Sequence, residues 1–69
     1  MERKYNPDDY DEYLSSIMKK AYQAIEDKNI TLIDIYCCDL HDELKNYYKA
    51  GIISENKWHE MENYFRSFL

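Results

Sequence analysis

Four side chains in this sequence are of the types that do soft-metal or thiol chemistry: Cys37, Cys38, His41 and His59. Cys37 and His41 stand one helical turn apart, so a helix brings the thiol and the imidazole towards one side. A structural zinc site takes four ligands, and the remaining donors are poorly placed for one. Cys38 points nearly the opposite way, and His59 belongs to another segment. No metal and no other cofactor is expected. A thiol enzyme needs an activated thiolate, whereas Asp39, Asp42 and Glu43 push a neighbouring thiol pKa upwards. With a single glycine there is no phosphate-cradling loop, and neither HExxH nor GxSxG occurs. No catalytic residue is assigned and no enzymatic activity is expected.

Carboxylates are the second chemistry-bearing group. Asp8, Asp9, Asp11 and Glu12 put four acids into five positions, and Asp39, Asp42 and Glu43 add three more. A calcium loop spaces its oxygens around a glycine at a sharp turn, which is missing here. Acids also gather at helix starts because the helix dipole favours them there. If the seven form an acidic surface, its use would be to imitate nucleic-acid phosphates and occupy the basic groove of a nuclease or defence enzyme.

Composition bounds the remaining choices. A chain of 69 residues makes one domain. It buries only about 60% of the surface its unfolded form exposes, which leaves little room for an enclosed active site. The net charge is −5, spread as −2, −2 and −1 over residues 1–29, 30–50 and 51–69. No segment offers a basic face, so nucleic acid is not an expected partner. The joint from Lys49 to Ser54 invites comparison with a helix-turn-helix, which makes a small DNA-binding regulator a further alternative. Its reading face would carry Glu55, Asn56, His59, Glu60, Glu62, Asn63 and Arg66, where three acids oppose a phosphate-lined groove. Ile, Lys, Asn and Tyr supply 27 residues while Val is absent, a bias expected of an AT-rich bacterium or its phages and mobile elements. No secretory leader or membrane span is read. Two adjacent cysteines cannot bridge within a helix, so reduced thiols and a cytoplasmic setting are expected.

Hydrophobic spacing supplies the elements that position these groups. An all-α three-helix bundle is predicted, a helical hairpin plus a third helix, over about residues 7–27, 32–49 and 55–68, with 1–5 as a loose tail. Asn6 and Pro7 open the first helix, Thr31 with Asp34 the second, and Ser54 the third, with Ile53 and Trp58 as a hydrophobic staple. Gly51 suits the left-handed residue after the second helix. The core stripes are Tyr10, Leu14, Ile17, Met18, Ala21 and Ile25; Ile33, Tyr36, Cys37, Leu40, Leu44 and Tyr47; and Trp58, Met61, Tyr64, Phe65 and Phe68, with Leu69 at the edge.

One feature departs from this pattern. Ile35 and Cys38 fall opposite the stripe of the second helix, with Leu32 on a flank. Either that helix is sandwiched within the fold, or another chain covers its second face. Eight tyrosines add amphipathic contact area, and Tyr13, Tyr22 and Tyr48 flank the stripes. The function expected is a non-enzymatic adaptor, inhibitor or regulator. It would bind a protein partner, or a second copy as a homodimer, through Leu32, Ile35 and Cys38 or through Tyr13, Tyr22 and Tyr48.

Overall fold

Capping and periodicity divide the chain into a short 3₁₀ turn at Pro7–Asp9 and helices α1 (Glu12–Glu26), α2 (Ile30–Lys49) and α3 (Glu55–Arg66). The computed structural model describes residues 3–69, and among these there is no strand. α1 and α3 both pack chiefly on α2, giving the expected three-helix arrangement. Leu14, Met18 and Ala21 of α1, Ile33, Cys37, Leu40 and Leu44 of α2, and Met61 and Phe65 of α3 are buried together. The Cα radius of gyration is 11.2 Å, against about 11 Å expected for a folded chain of this length.

The first helix is shorter than its periodicity implies, because two start signals lie five residues apart. Asn6 Oδ1 accepts from the Asp8 N–H at 3.0 Å, as expected, but this cap holds only the 3₁₀ turn. Tyr10 is extended, and Asp11 Oδ1 caps α1 proper by accepting from the Leu14 N–H at 2.9 Å. The Asp11 N–H, which a continuous helix would direct to Pro7, donates instead to the Tyr47 hydroxyl at 3.1 Å. A tertiary hydrogen bond thus replaces a local one. α2 also starts earlier than expected, with Asn29 rather than Thr31 as its cap: Asn29 Oδ1 accepts from the Leu32 N–H at 3.2 Å. Ser54 caps α3 as predicted, and α3 stops at Arg66, where the Ser67 hydroxyl donates to the Tyr64 carbonyl.

Both joints use a left-handed residue. Gly51 has φ 76°, and the Ile52 N–H reaches back to the Tyr47 carbonyl at 3.0 Å. Between α1 and α2 the same position falls to Lys28 at φ 55°, with the Asn29 N–H on the Ala24 carbonyl at 3.0 Å. A β-carbon in that region costs about 1 kcal/mol or more. Lys28→Gly should therefore raise stability by about 0.5 to 1 kcal/mol, part of the relief being offset by a freer unfolded chain. Urea denaturation checks it.

The expected loose tail is corrected at Tyr5; Met1 and Glu2 lie outside the described residues. Tyr5 is buried in the core, and the segment Arg3–Tyr5 forms a strap along the seam between α1 and α3. Its backbone is held by Tyr22 of α1. The Tyr5 N–H donates to the Tyr22 hydroxyl at 3.2 Å, and that hydroxyl donates to the Tyr5 carbonyl at 2.8 Å. The Tyr5 ring meets Tyr64 edge-on at 5.4 Å, and the Arg3 guanidinium lies 4.8 Å from the centre of the Tyr22 ring. Tyr22 in turn packs on Phe65 at 5.0 Å, so one phenol ties strap, α1 and α3 together. Burial raises its pKa above the ordinary tyrosine value. The Tyr5 hydroxyl makes no well-formed hydrogen bond. It nonetheless lies near enough to Glu60 that it, ahead of the Lys4 ammonium, holds that carboxylate below its usual range. Tyr22→Phe removes a donor and an acceptor while leaving the ring. It should cost about 1 to 3 kcal/mol with the helical circular dichroism unchanged, as read from the urea midpoint.

Candidate functional site

α2 carries one apolar stripe inwards, and its opposite side is left to solvent by the rest of the chain. Ile35 is 48% exposed, Cys38 is exposed and Leu32 is half-buried. The second helix is therefore not sandwiched within the fold. Leu32, Ile35 and Cys38 follow one another at intervals of three, so they form a slanted ridge that runs from Leu32, which packs against the core at the edge of the stripe, to Ile35 and Cys38 on the outer surface. The neighbouring thiols divide cleanly. Cys37 is buried, and burial pushes its thiol pKa up, whereas Cys38 faces water.

The tyrosine rim does not survive as a set. Tyr22 is fully buried behind the strap and is withdrawn as a contact residue. Its position at the edge of the stripe was compatible with half exposure, but the strap, which periodicity does not reveal, covers that edge. Tyr13 and Tyr48 remain exposed, at 58% and 40%. They do not join the ridge. Tyr13 is near the start of α1, and Tyr48 lies at the far end of α2 from Ile35, turned towards α3, where its ring stacks on Trp58 at 5.5 Å.

Trp58 organises a second surface that sequence reasoning missed by assigning it to the core alone. It is half-buried, stacks on His59 at 4.6 Å and meets His41 at 5.6 Å, while Ile52, in the joint before α3, is exposed. Its indole N–H is buried without an acceptor. The staple position beside the Ile52-Ile53 joint was the available signal, since it puts a large ring at the open end of the helix pair.

Several titratable groups are engaged in the fold. His41 Nδ1 lies 2.8 Å from Glu62 Oε1, and Arg66 Nε lies 3.3 Å from the same oxygen, bridging α2 and α3. Glu62 is thereby drawn in from the exposed face assigned to it, with only 12% of its side chain accessible. Among the described residues no group of three or more His, Cys, Asp or Glu is arranged to hold a metal ion. Cys37 is buried, and His41 directs its Nδ1 to Glu62.

The seven acids are engaged to different degrees. Asp11 is occupied as a cap, and Asp8 lies 3.6 Å from Lys19 Nζ. Asp9 and Glu12 are exposed beside them. Glu43 is half-buried; burial raises the Tyr47 phenol pKa, the hydrogen bond from the Asp11 amide works against that, and the carboxylates of Asp11 and Glu43 add to it. Asp39 and Asp42 stand exposed on the outer side of α2, near the ridge instead.

Comparison with protein-family models, curated proteins and solved structures finds no match. No helix is long and apolar enough to cross a membrane among the described residues. The division of the thiols gives a direct check. Alkylation of the folded chain with iodoacetamide should label Cys38 alone, and Cys37 should react only after denaturation, as mass spectrometry of the peptides would report.

Proposed function

We propose that this chain is a non-enzymatic interaction module that binds another protein through the outer ridge of α2, working in the cytoplasm of an AT-rich bacterium or one of its mobile elements. The observation that carries the reading is Ile35: a large apolar side chain, nearly half exposed, next to exposed Cys38 and half-buried Leu32. Single exposed apolar residues are ordinary, but a ridge of three on one helix face is the form a helix presents to a partner. Supporting it over nucleic-acid mimicry, Asp8 and Asp11 already have partners within the fold, so the acids at the start of α1 are not a free phosphate-like row.

Ile35→Lys tests the reading, with Tyr13→Lys as a control of equal chemistry on another face. Because the site is exposed, each variant should keep its helical circular dichroism. Ile35→Lys should then lose self-association in sedimentation equilibrium, or lose proteins that the parent chain retains from a bacterial lysate, while Tyr13→Lys keeps them. An Ile35→Lys chain that retains the same partners, or that unfolds, removes the ridge as the contact.

A further inference from the structure

We infer that the outer face of α2, from Leu32 to Asp42, is built to receive a cationic amphipathic helix. The inference rests on the contact-face reading above and adds the chemistry of the occupant. The face has an apolar ridge flanked by acid. Asp34 lies on the side turned towards α3, Asp39 on the side turned towards α1, and Asp42 one turn beyond Cys38, all three exposed. Between Ile30 and Asp42 the helix contains no Lys or Arg. Among the described residues none of the three carboxylates joins an ion pair, although other acids do so with Lys4, Lys19 and Arg66. The ridge at intervals of three is the shape that settles into the groove of a second helix at a shallow crossing angle. One carboxylate on either side, with Asp42 beyond the end of the ridge, calls for Lys or Arg flanking the partner's own apolar stripe.

The same charges disfavour a second copy on this face. The axis that centres the ridge passes through Ile35 and pairs Leu32 with Cys38; a second copy then adds three more carboxylates to the face and brings no Lys or Arg from between Ile30 and Asp42 to meet them. A basic helix removes that repulsion and brings counter-charge to both flanks.

The test uses the intact chain and a fluorescein-labelled synthetic helix of Leu and Lys, about 18 residues long so that it can fold on the surface. Anisotropy should show saturable one-to-one binding that weakens steeply between about 0.05 M and about 0.5 M salt. The triple variant Asp34→Asn, Asp39→Asn, Asp42→Asn should weaken it at least about tenfold, and Ile35→Ser should do the same. The decisive comparison is Asp8→Asn, Asp9→Asn, Glu12→Gln, which removes as much charge elsewhere and should leave affinity within about twofold. Equal loss in the two triple variants would mean attraction to net charge alone and would overturn the proposal. So would a Leu/Lys helix that does not bind, or one that binds equally to Ile35→Ser. If the chain is instead a dimer that Ile35→Lys dissociates, the occupant is a second copy: this proposal fails while the contact face stands. If Ile35→Lys leaves all association and capture unchanged, the contact face itself fails.

Discussion

Both outer helices depend on one stripe of α2. Ile33, Cys37, Leu40, Leu44 and Tyr47 provide the surface on which α1 and α3 each find most of their buried contact. A helix that shares a single apolar stripe between two neighbours turns its opposite side to water by geometry, whatever the residues there. Two helices cannot also wrap the far side, and among the described residues there is no fourth α-helix to do so. The exposure of Ile35 follows from this economy of elements. It is a consequence of architecture first, and the choice of isoleucine at that position is what gives it functional interest.

The shared stripe leaves α1 and α3 with little direct contact, and the seam between them is closed by other means. Tyr22 supplies the ring that meets Phe65 and the hydroxyl that holds the backbone of Tyr5. Buried hydroxyls are costly unless satisfied, and here one phenol both donates and accepts. At the opposite end Tyr47 does a similar service for the Asp11 amide. Part of the tyrosine excess thus has a structural explanation: long side chains with polar tips reach backbone groups that a chain poor in other tertiary hydrogen bonds leaves open.

The elements and their inward faces were legible because periodicity and caps act locally. Leu14, Leu40 and Phe65 could be placed in the core from spacing alone, and Ser54 and Gly51 from the backbone geometry they favour. What spacing missed was decided between segments. The break at Tyr10 depends on Tyr47, the burial of Tyr22 depends on the strap, and the recruitment of Glu62 depends on His41 and Arg66. Lys28 illustrates a different blindness: its left-handed conformation belongs to the joint, and nothing about lysine announces it. For the candidate site, the ridge of Leu32, Ile35 and Cys38 was readable as a violation of amphipathicity. The Tyr48–Trp58–His59 stack was not, since it joins residues from two helices that each look ordinary alone.

The strap also orders events in time. Its contacts join residues as far apart as Lys4 and Tyr64, sixty positions, whereas the helical pairs are linked through joints of a few residues. The strap docks on a seam that α1 and α3 must first form together, through Tyr22 seventeen positions away and Tyr64 sixty, so the three helices can associate while the first residues remain free. In the native ensemble the reverse step is a partial opening with its own free energy, below that of global unfolding. Release of Arg3 to Tyr5 would uncover the Tyr22 hydroxyl and the edge of Tyr64 in a molecule whose helices remain intact.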